Sequence, residues 1–305
     1  MMRLKKIFIT ACFIFIALLK ITAQQKDTTD LLSMLENEVS NETKNQTNYT
    51  TATFKTTRLI NGHTVENVGA GVLDVKISHR FGKVNGGGYE LFGLDNASMR
   101  MGLDYGVTRY LMIGIGRSTF EKTYDGYLKL KLLRQSTGKR KMPITLSYVP
   151  TIAYKTLKYE DPKRNNYYTS RLYYTHQLIM GRKFSEGTSI QLMPTYVHRN
   201  LVKYATEPNG LMAIGIGGRQ KITKRISLTA EYYYQVPGYK LIGTTNSLSL
   251  GFDIETGGHV FQLHFTNSRG MNERSFISET SGEWSKGDIY FGFNISRVFT
   301  LSKRK

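Results

Sequence analysis

The sequence predicts an all-β chain: a transmembrane, antiparallel, up-and-down β-barrel of about twelve strands, behind a signal peptide and a short polar leader. Three observations predict it. From Gly71 to the end, apolar residues alternate with polar or small ones at a spacing of two, the period of a strand with two unlike faces. Apart from the short connection Glu121–Asp125 and the longer Gln135–Lys141, the connections between these segments run alternately long and short, as in barrels with short periplasmic turns and longer outer loops. The final segment, GDIYFGFNISRVF from Gly287 to Phe299, puts Phe291, Phe293, Ile295 and Phe299 on one face and Tyr290, Gly292, Asn294 and Ser296 on the other. Such a strand must pair with the first one, because an open edge cannot be left in lipid.

Composition agrees with this reading. Tyr 20 and Phe 15 against Trp 1, with Gly 29 and Pro 6, suit many strands joined by glycine-containing turns. Internal apolar runs are too short for a helical membrane span. A mean hydropathy of −0.33 is compatible with a barrel in which only alternate residues meet lipid.

In order along the chain, residues 1–23 read as a secretion signal. Arg3, Lys5 and Lys6 are its basic start, Ile7 to Leu19 its apolar core, and Thr22-Ala23 its cleavage site. Ile9-Thr10-Ala11-Cys12 also has a lipoprotein-like spacing, but the apolar run continues past Cys12 to Leu19. Cleavage after Ala23 removes the single cysteine and with it any disulfide or thiolate site. Residues 24–48 are a polar, largely disordered leader, with a short helix expected around Asp30 to Glu36.

Residues 49–68 carry β-branched runs on both sides of Asn61-Gly62, a hairpin signal. Both of its faces are polar, so it suits a plug or the periplasmic rim better than a lipid-facing wall. Residues 69–301 form the barrel and 302–305 a basic tail. In its first strand Leu73, Val75, Ile77 and Phe81 alternate with Asp74, Lys76, Ser78 and Arg80. Met99, Met101, Leu103 and Tyr105 do the same against Arg100, Gly102, Asp104 and Gly106. Ile113 and Ile115 alternate with Gly114 and Gly116, Leu128, Leu130 and Leu132 with Lys129 and Lys131, and later strands follow near 143–154, 168–183, 189–200, 211–221, 226–236, 246–255 and 260–267. Tyr124, Tyr154, Tyr168, Tyr174, Tyr196, Tyr232 and Tyr234 cluster where strands should leave the membrane on the outer side.

The segments TATFKTTRLINGHTVENVGAGVLDVKISHRFG, LFGLDNASMRMGLDYGVT, YDGYLKLKLLRQSTG, GFDIETGGHVFQLHFTNS and GDIYFGFNISRVF together resemble an uncharacterised family of outer-membrane β-barrels of Bacteroidota-type bacteria, a domain of unknown function. The resemblance runs from about Thr50 onward. It implies a barrel in the outer membrane and no reaction, cofactor or ligand, so it assigns no functional residues.

The residues themselves offer several chemistries. His63, His79, His176, His198, His259 and His264 form no His-x-His or His-Glu-x-x-His pattern, so no metal site is expected. Inward Ser78, Ser227, Ser247 and Ser249 with His264 could in principle supply a nucleophile and base, but no motif surrounds them and no catalytic residue is assigned. Gly114-x-Gly116 and Gly215-x-Gly217-Gly218 lack the following helix of a phosphate loop; inward glycines instead make room in the lumen.

The strongest constellation is a set of charges on the inward phase. Lys76, Arg80, Arg100, Lys129, Lys131, Arg171, Arg199 and Arg219 outnumber Asp74, Asp104, Glu231, Asp253 and Glu255. An open lumen of that sign would favour small anions; a narrow one would let opposed charges pair and fill it. The +19 formal charge is spread over lumen and loops without a basic helix, which argues against nucleic acid. Lys155, Lys158, Lys163, Arg164 and Lys203 suit lipopolysaccharide phosphates, and the last strand suits the barrel-assembly machinery. Three functions follow: binding or passage of small anionic solutes, a structural or accessory barrel engaging an envelope complex, and, third, an outer-membrane enzyme.

Overall fold

Alternation gives every strand one face for the surroundings and one for the interior, and a sheet of such strands is satisfied in lipid only when it closes. In the computed structural model it does close. The structure describes residues 32–34, 45–159, 161–163, 165–202, 204–256 and 259–302. The expected signal peptide with Cys12, most of the leader, Arg164, Lys203 and the end of the basic tail lie outside them. Of the leader's expected helix, residues 32–34 are described and are helical.

Twelve antiparallel strands form the barrel. In chain order they are β1 (Val72–Lys83), β2 (Ala97–Gly106), β3 (Leu111–Ser118), β4 (Thr123–Leu133), β5 (Thr145–Lys155) and β6 (Leu172–Lys183). The second half comprises β7 (Thr188–Arg199), β8 (Gly210–Lys221), β9 (Ile226–Gln235), β10 (Ser247–Thr256), β11 (His259–Thr266) and β12 (Tyr290–Thr300). Each pairs with its neighbours in sequence, and β12 closes on β1 from Thr300 opposite Val72 to Tyr290 opposite Lys83, with a register shift between Tyr290 and Gly292. The closing strand starts three residues later than the sequence suggests, because Trp284–Lys286 form a 3-10 turn ended by Gly287 at φ 73. The 3-10 turn Tyr168–Arg171 likewise delays β6. A two-stranded antiparallel ribbon, Thr47–Tyr49 with Ser136–Gly138, belongs to a separate small unit.

The outward face is a continuous apolar belt, including Met101, Ile115, Leu128, Ile152, Ile214, Leu250 and Phe265, all exposed. An apolar band of this extent is at home in lipid and would be an aggregation surface in water. His79, on the same face, stacks on Phe293 with centroids 4.9 Å apart. Among the described residues no helix is long and apolar enough to cross a membrane.

The inward face departs from the polar lining the alternation suggests. Met112, Val149, Ile179, Met193, Val197, Leu211, Ala213 and Tyr233, on β3 and β5 to β9, point inward and are buried. Across the lumen, β10 to β12 with β1 and β2 present Ser249, Asp253, Gln262, His264, Asn294, Arg80, Lys76 and Arg100, also buried. The first wall mixes these apolar groups with buried polar ones such as Gln177, Gln191 and Glu231, and the second is almost wholly polar.

Candidate functional site

Two segments fill the lumen, one from each end. Residues 53–65, ahead of β1, are buried except for Lys55. Around Asn61-Gly62 the chain reverses through a single antiparallel bridge, Arg58 to His63, in place of a full two-stranded hairpin. Within this plug the Leu59 N–H donates to the Gly62 carbonyl at 2.8 Å and the Thr64 N–H to Thr57 at 3.0 Å. Many of its remaining backbone groups turn to the wall, because buried peptide groups need partners.

The wall supplies them with charged side chains. Glu231 accepts three successive plug N–H groups, Ile60 at 3.3 Å, Asn61 at 2.8 Å and Gly62 at 3.1 Å. Glycine is required at the tip, since a Cβ on Gly62 would collide with the Tyr233 hydroxyl. The Lys129 ammonium donates to the carbonyls of Thr57, Thr64 and Glu66 at 3.0, 3.1 and 2.9 Å. Gln262 and Asn294 donate to the carbonyls of Leu59 and Ile60 at 2.6 and 2.9 Å. On the more apolar wall Gly217 and Gly181 make room for plug residues Leu59 and Val65.

From the opposite end, the β11–β12 connection folds inward and forms a short helix, α1 (Glu273–Ser278), all of it buried. Asn272 caps it by accepting from the Ser275 N–H at 3.0 Å. Phe276 packs edge-on against Tyr233, ring centroids 5.1 Å apart. Arg274 forms ion pairs with Glu279 at 2.6 Å and with Glu121, and lies 4.0 Å from the centre of the Tyr173 ring.

Plug and helix meet inside the barrel. Arg58 NH1 forms a 2.7 Å ion pair with Glu273 Oε1. Burial alone would lower the Arg58 pKa, but the Glu273 carboxylate, with Tyr127 and Asp104, turns the net shift upward. His63 Nε2 is 3.2 Å from the same carboxylate oxygen. Burial, followed by the charges of Arg58, Lys129, Lys76 and Arg100, nevertheless holds His63 well below its ordinary pKa, so it stays neutral and the pair is not ionic. At the helix's outer anchor, burial raises Glu279 despite Arg274, whereas Arg274 and Lys155 outweigh burial at Glu121 and lower it.

The inward charges named from sequence are mostly consumed internally. Lys76 sits between Asp104 at 2.6 Å and Asp74 at 3.1 Å, with Thr57 of the plug on the same ammonium. Arg100 forks onto Asp125, Lys131 reaches Glu66 at 3.8 Å, and Arg219 pairs with Glu255 at 2.9 Å. Asp253 accepts from Gln262 at 2.9 Å. Arg171 is not on the lumen wall: its turn precedes β6, and its guanidinium bonds the Leu157 carbonyl and lies 3.5 Å from the centre of the Tyr159 ring. Arg199 is the last residue of β7, at the long-loop end, and is half-buried. Lys155, grouped with the outer-rim cations, is paired with Glu121 at 2.6 Å. His264 bonds no serine; neither of its ring nitrogens has a partner among the described residues.

Sequence reasoning missed three acids that balance these cations. Asp125 shares the inward phase of Tyr127 and Lys129; the sequence reading ends the preceding connection at Asp125, whereas β4 already starts at Thr123. Glu66 lies in the plug. Glu273 lies in a connection whose Asn272 cap and apolar Phe276-Ile277 pair were the available signals of a buried turn of helix.

Fold and site together define a membrane-embedded β-barrel occupied by its own chain, and an even-stranded, single-chain barrel of this kind is an outer-membrane protein. The chain belongs to the family described as membrane bound beta barrel domain (DUF5777), which matches residues 54–299. No curated protein sequence matches it. Among solved structures it is similar to the NanC porin, at 8% identity over 74% of this chain and 98% of that one, TM-score 0.47. It is also similar to the COG4313 outer membrane channel from Pseudomonas putida F1, at 13% identity over 77% and 97% of the two chains, TM-score 0.45.

Proposed function

We propose that this barrel is a plugged outer-membrane channel, closed in the folded state by residues 53–68 and α1, and anion-preferring once the plug leaves. The observation that carries the reading is the buried Arg58–Glu273 ion pair, which joins the two inward-folded segments within the lumen. The cations that suggest an anion path instead seat carbonyls and carboxylates of the chain itself. Plug residues Phe54, Leu59, Ile60, Val65 and Val68 are buried. At roughly 1.5–3 kcal/mol per apolar side chain they contribute about 7–15 kcal/mol to seating, an upper bound. Spontaneous withdrawal is therefore rare.

Withdrawal would uncover Lys129 and free Lys131 of Glu66, a cationic strip on β4 that favours anions, while it also bares Glu231 and Glu273. Planar-bilayer recordings test this. At neutral pH the full chain is expected to open only rarely, and a chain lacking residues 24–68 to conduct steadily with anion preference. Equal conductance of the two would overturn the proposal. The accessory reading, in which the leader or loops engage an envelope complex, predicts instead that the shortened barrel opens just as rarely, because α1 and loops alone would keep it shut.

A further inference from the structure

Among the fully buried cations of the lumen Arg80 stands apart. Arg58, Lys76, Arg100, Arg219 and Arg274 each face a carboxylate, and the Lys129 ammonium has three carbonyls. Arg80 has one neutral acceptor, the Asn61 side-chain oxygen, 2.7 Å from NH2. Its Nε and NH1 have no partner among the described residues. Glu231, which also contacts Asn61, directs its oxygens to the N–H groups of residues 60–62 and makes no ion pair with Arg80. A guanidinium does not deprotonate in a protein, and Glu231, the carboxylate whose charge reaches Arg80, makes no hydrogen bond or ion pair with it, so its burial is costly.

The other orphaned groups lie beside it. Ser98, Arg80, Gly292, His264, Gly251 and Thr229 form one inward row across β2, β1, β12, β11, β10 and β9. With no side chain at Gly292, Arg80 and His264 converge above it: a Cβ there would lie 2.6 Å from His264 Nε2 and 3.2 Å from Arg80 Cδ. Both ring nitrogens of His264 and the hydroxyl of Thr229 are buried without partners. The row thus offers guanidinium N–H groups, an imidazole N–H and a hydroxyl, all able to donate, with no carboxylate among them. A metal cation would be repelled, and an apolar guest would leave the donors unmet.

We propose that the Arg80–His264 junction binds one small inorganic anion of about halide size, held between the wall and the plug tip. The tip bounds the site through Asn61, and Arg80 and His264 already close over Gly292, which suits a small ion. The site depends on the closed reading only through Asn61, and its test does not read conductance.

Crystals of the full chain grown in sodium bromide are expected to show anomalous density beside Arg80 Nε and NH1. In detergent, Tm is expected to rise by a few degrees in bromide over gluconate at equal ionic strength, and R80Q to lose that rise. Bromide found only as an adventitious ion at the surface, or nowhere, would overturn the proposal, as would an undiminished bromide response in R80Q. The wild-type crystal decides the matter if R80Q fails to fold.

Discussion

Replacing Glu231 with alanine is expected to unseat the plug tip while leaving the barrel intact. The carboxylate is buried and accepts the N–H groups of Ile60, Asn61 and Gly62. Hydrogen bonds to a charged group contribute about 1.5–3 kcal/mol each, so three could approach 9 kcal/mol. Two effects reduce that figure: the variant no longer buries a charge, and water can enter the vacated volume. A net loss of roughly 3–6 kcal/mol is the reasonable range, raising the unseated population by about 10²- to 10⁴-fold. Arg58 supplies the assay, because its peptide bond is inaccessible while the plug is seated. When opening and reclosing outpace cleavage, the rate of tryptic cutting after Arg58 follows the unseated population. E231A should be cut faster by that factor, and E231Q, which keeps one acceptor oxygen, by an intermediate amount. Cleavage of E231A at the wild-type rate would refute the role assigned to this carboxylate.

Acidification should loosen the same plug through His63. Burial and its cationic neighbours depress its pKa in the seated state, so the released plug takes up a proton below the ordinary value of about 6.5 and seating loses about 1.4 kcal/mol per pH unit from there down. Besides those neighbours, Glu273 and Tyr127 also face the ring, and they stay in place in H63Q. Between neutral pH and about pH 5, channel openings in bilayers should rise roughly 30-fold in the wild type and stay nearly flat in H63Q; a flat wild-type profile would contradict the assignment. At the other end of the lumen, R274A leaves Glu121 and Glu279 facing each other without their shared cation, a loss of about 3–5 kcal/mol. Hydrogen exchange should accelerate across residues 273–278 and remain slow in the strands; uniform protection in both would show that α1 is held by packing alone.

Strand phase was legible along the whole barrel because lipid imposes a strict period of two. Leu73, Val75 and Ile77 could not exchange faces with Asp74, Lys76 and Ser78 without placing charge in the membrane. The same phase put Lys76, Arg80, Arg100, Lys129, Lys131 and Arg219 inward, where the structure has them. It failed at Arg171 because a 3-10 turn interrupts the strand there, and a turn does not carry the alternation. It also could not show that apolar Val149, Ile179 and Met193 cover a plug, since an inward apolar residue reads the same whatever lies opposite it.

The sequence by itself therefore determined a closed antiparallel barrel of about twelve strands, its long-loop and short-turn ends and the inward phase of most of its lumen cations, because each follows from local period, parity and composition. Only the tertiary structure decided that the lumen is occupied. Arg58 with Glu273, Lys129 with the Thr57 carbonyl, and Glu231 with the Asn61 N–H join residues far apart in the chain. Those contacts depend on strand register and on the width the closed sheet leaves inside, and neither is written in any one strand.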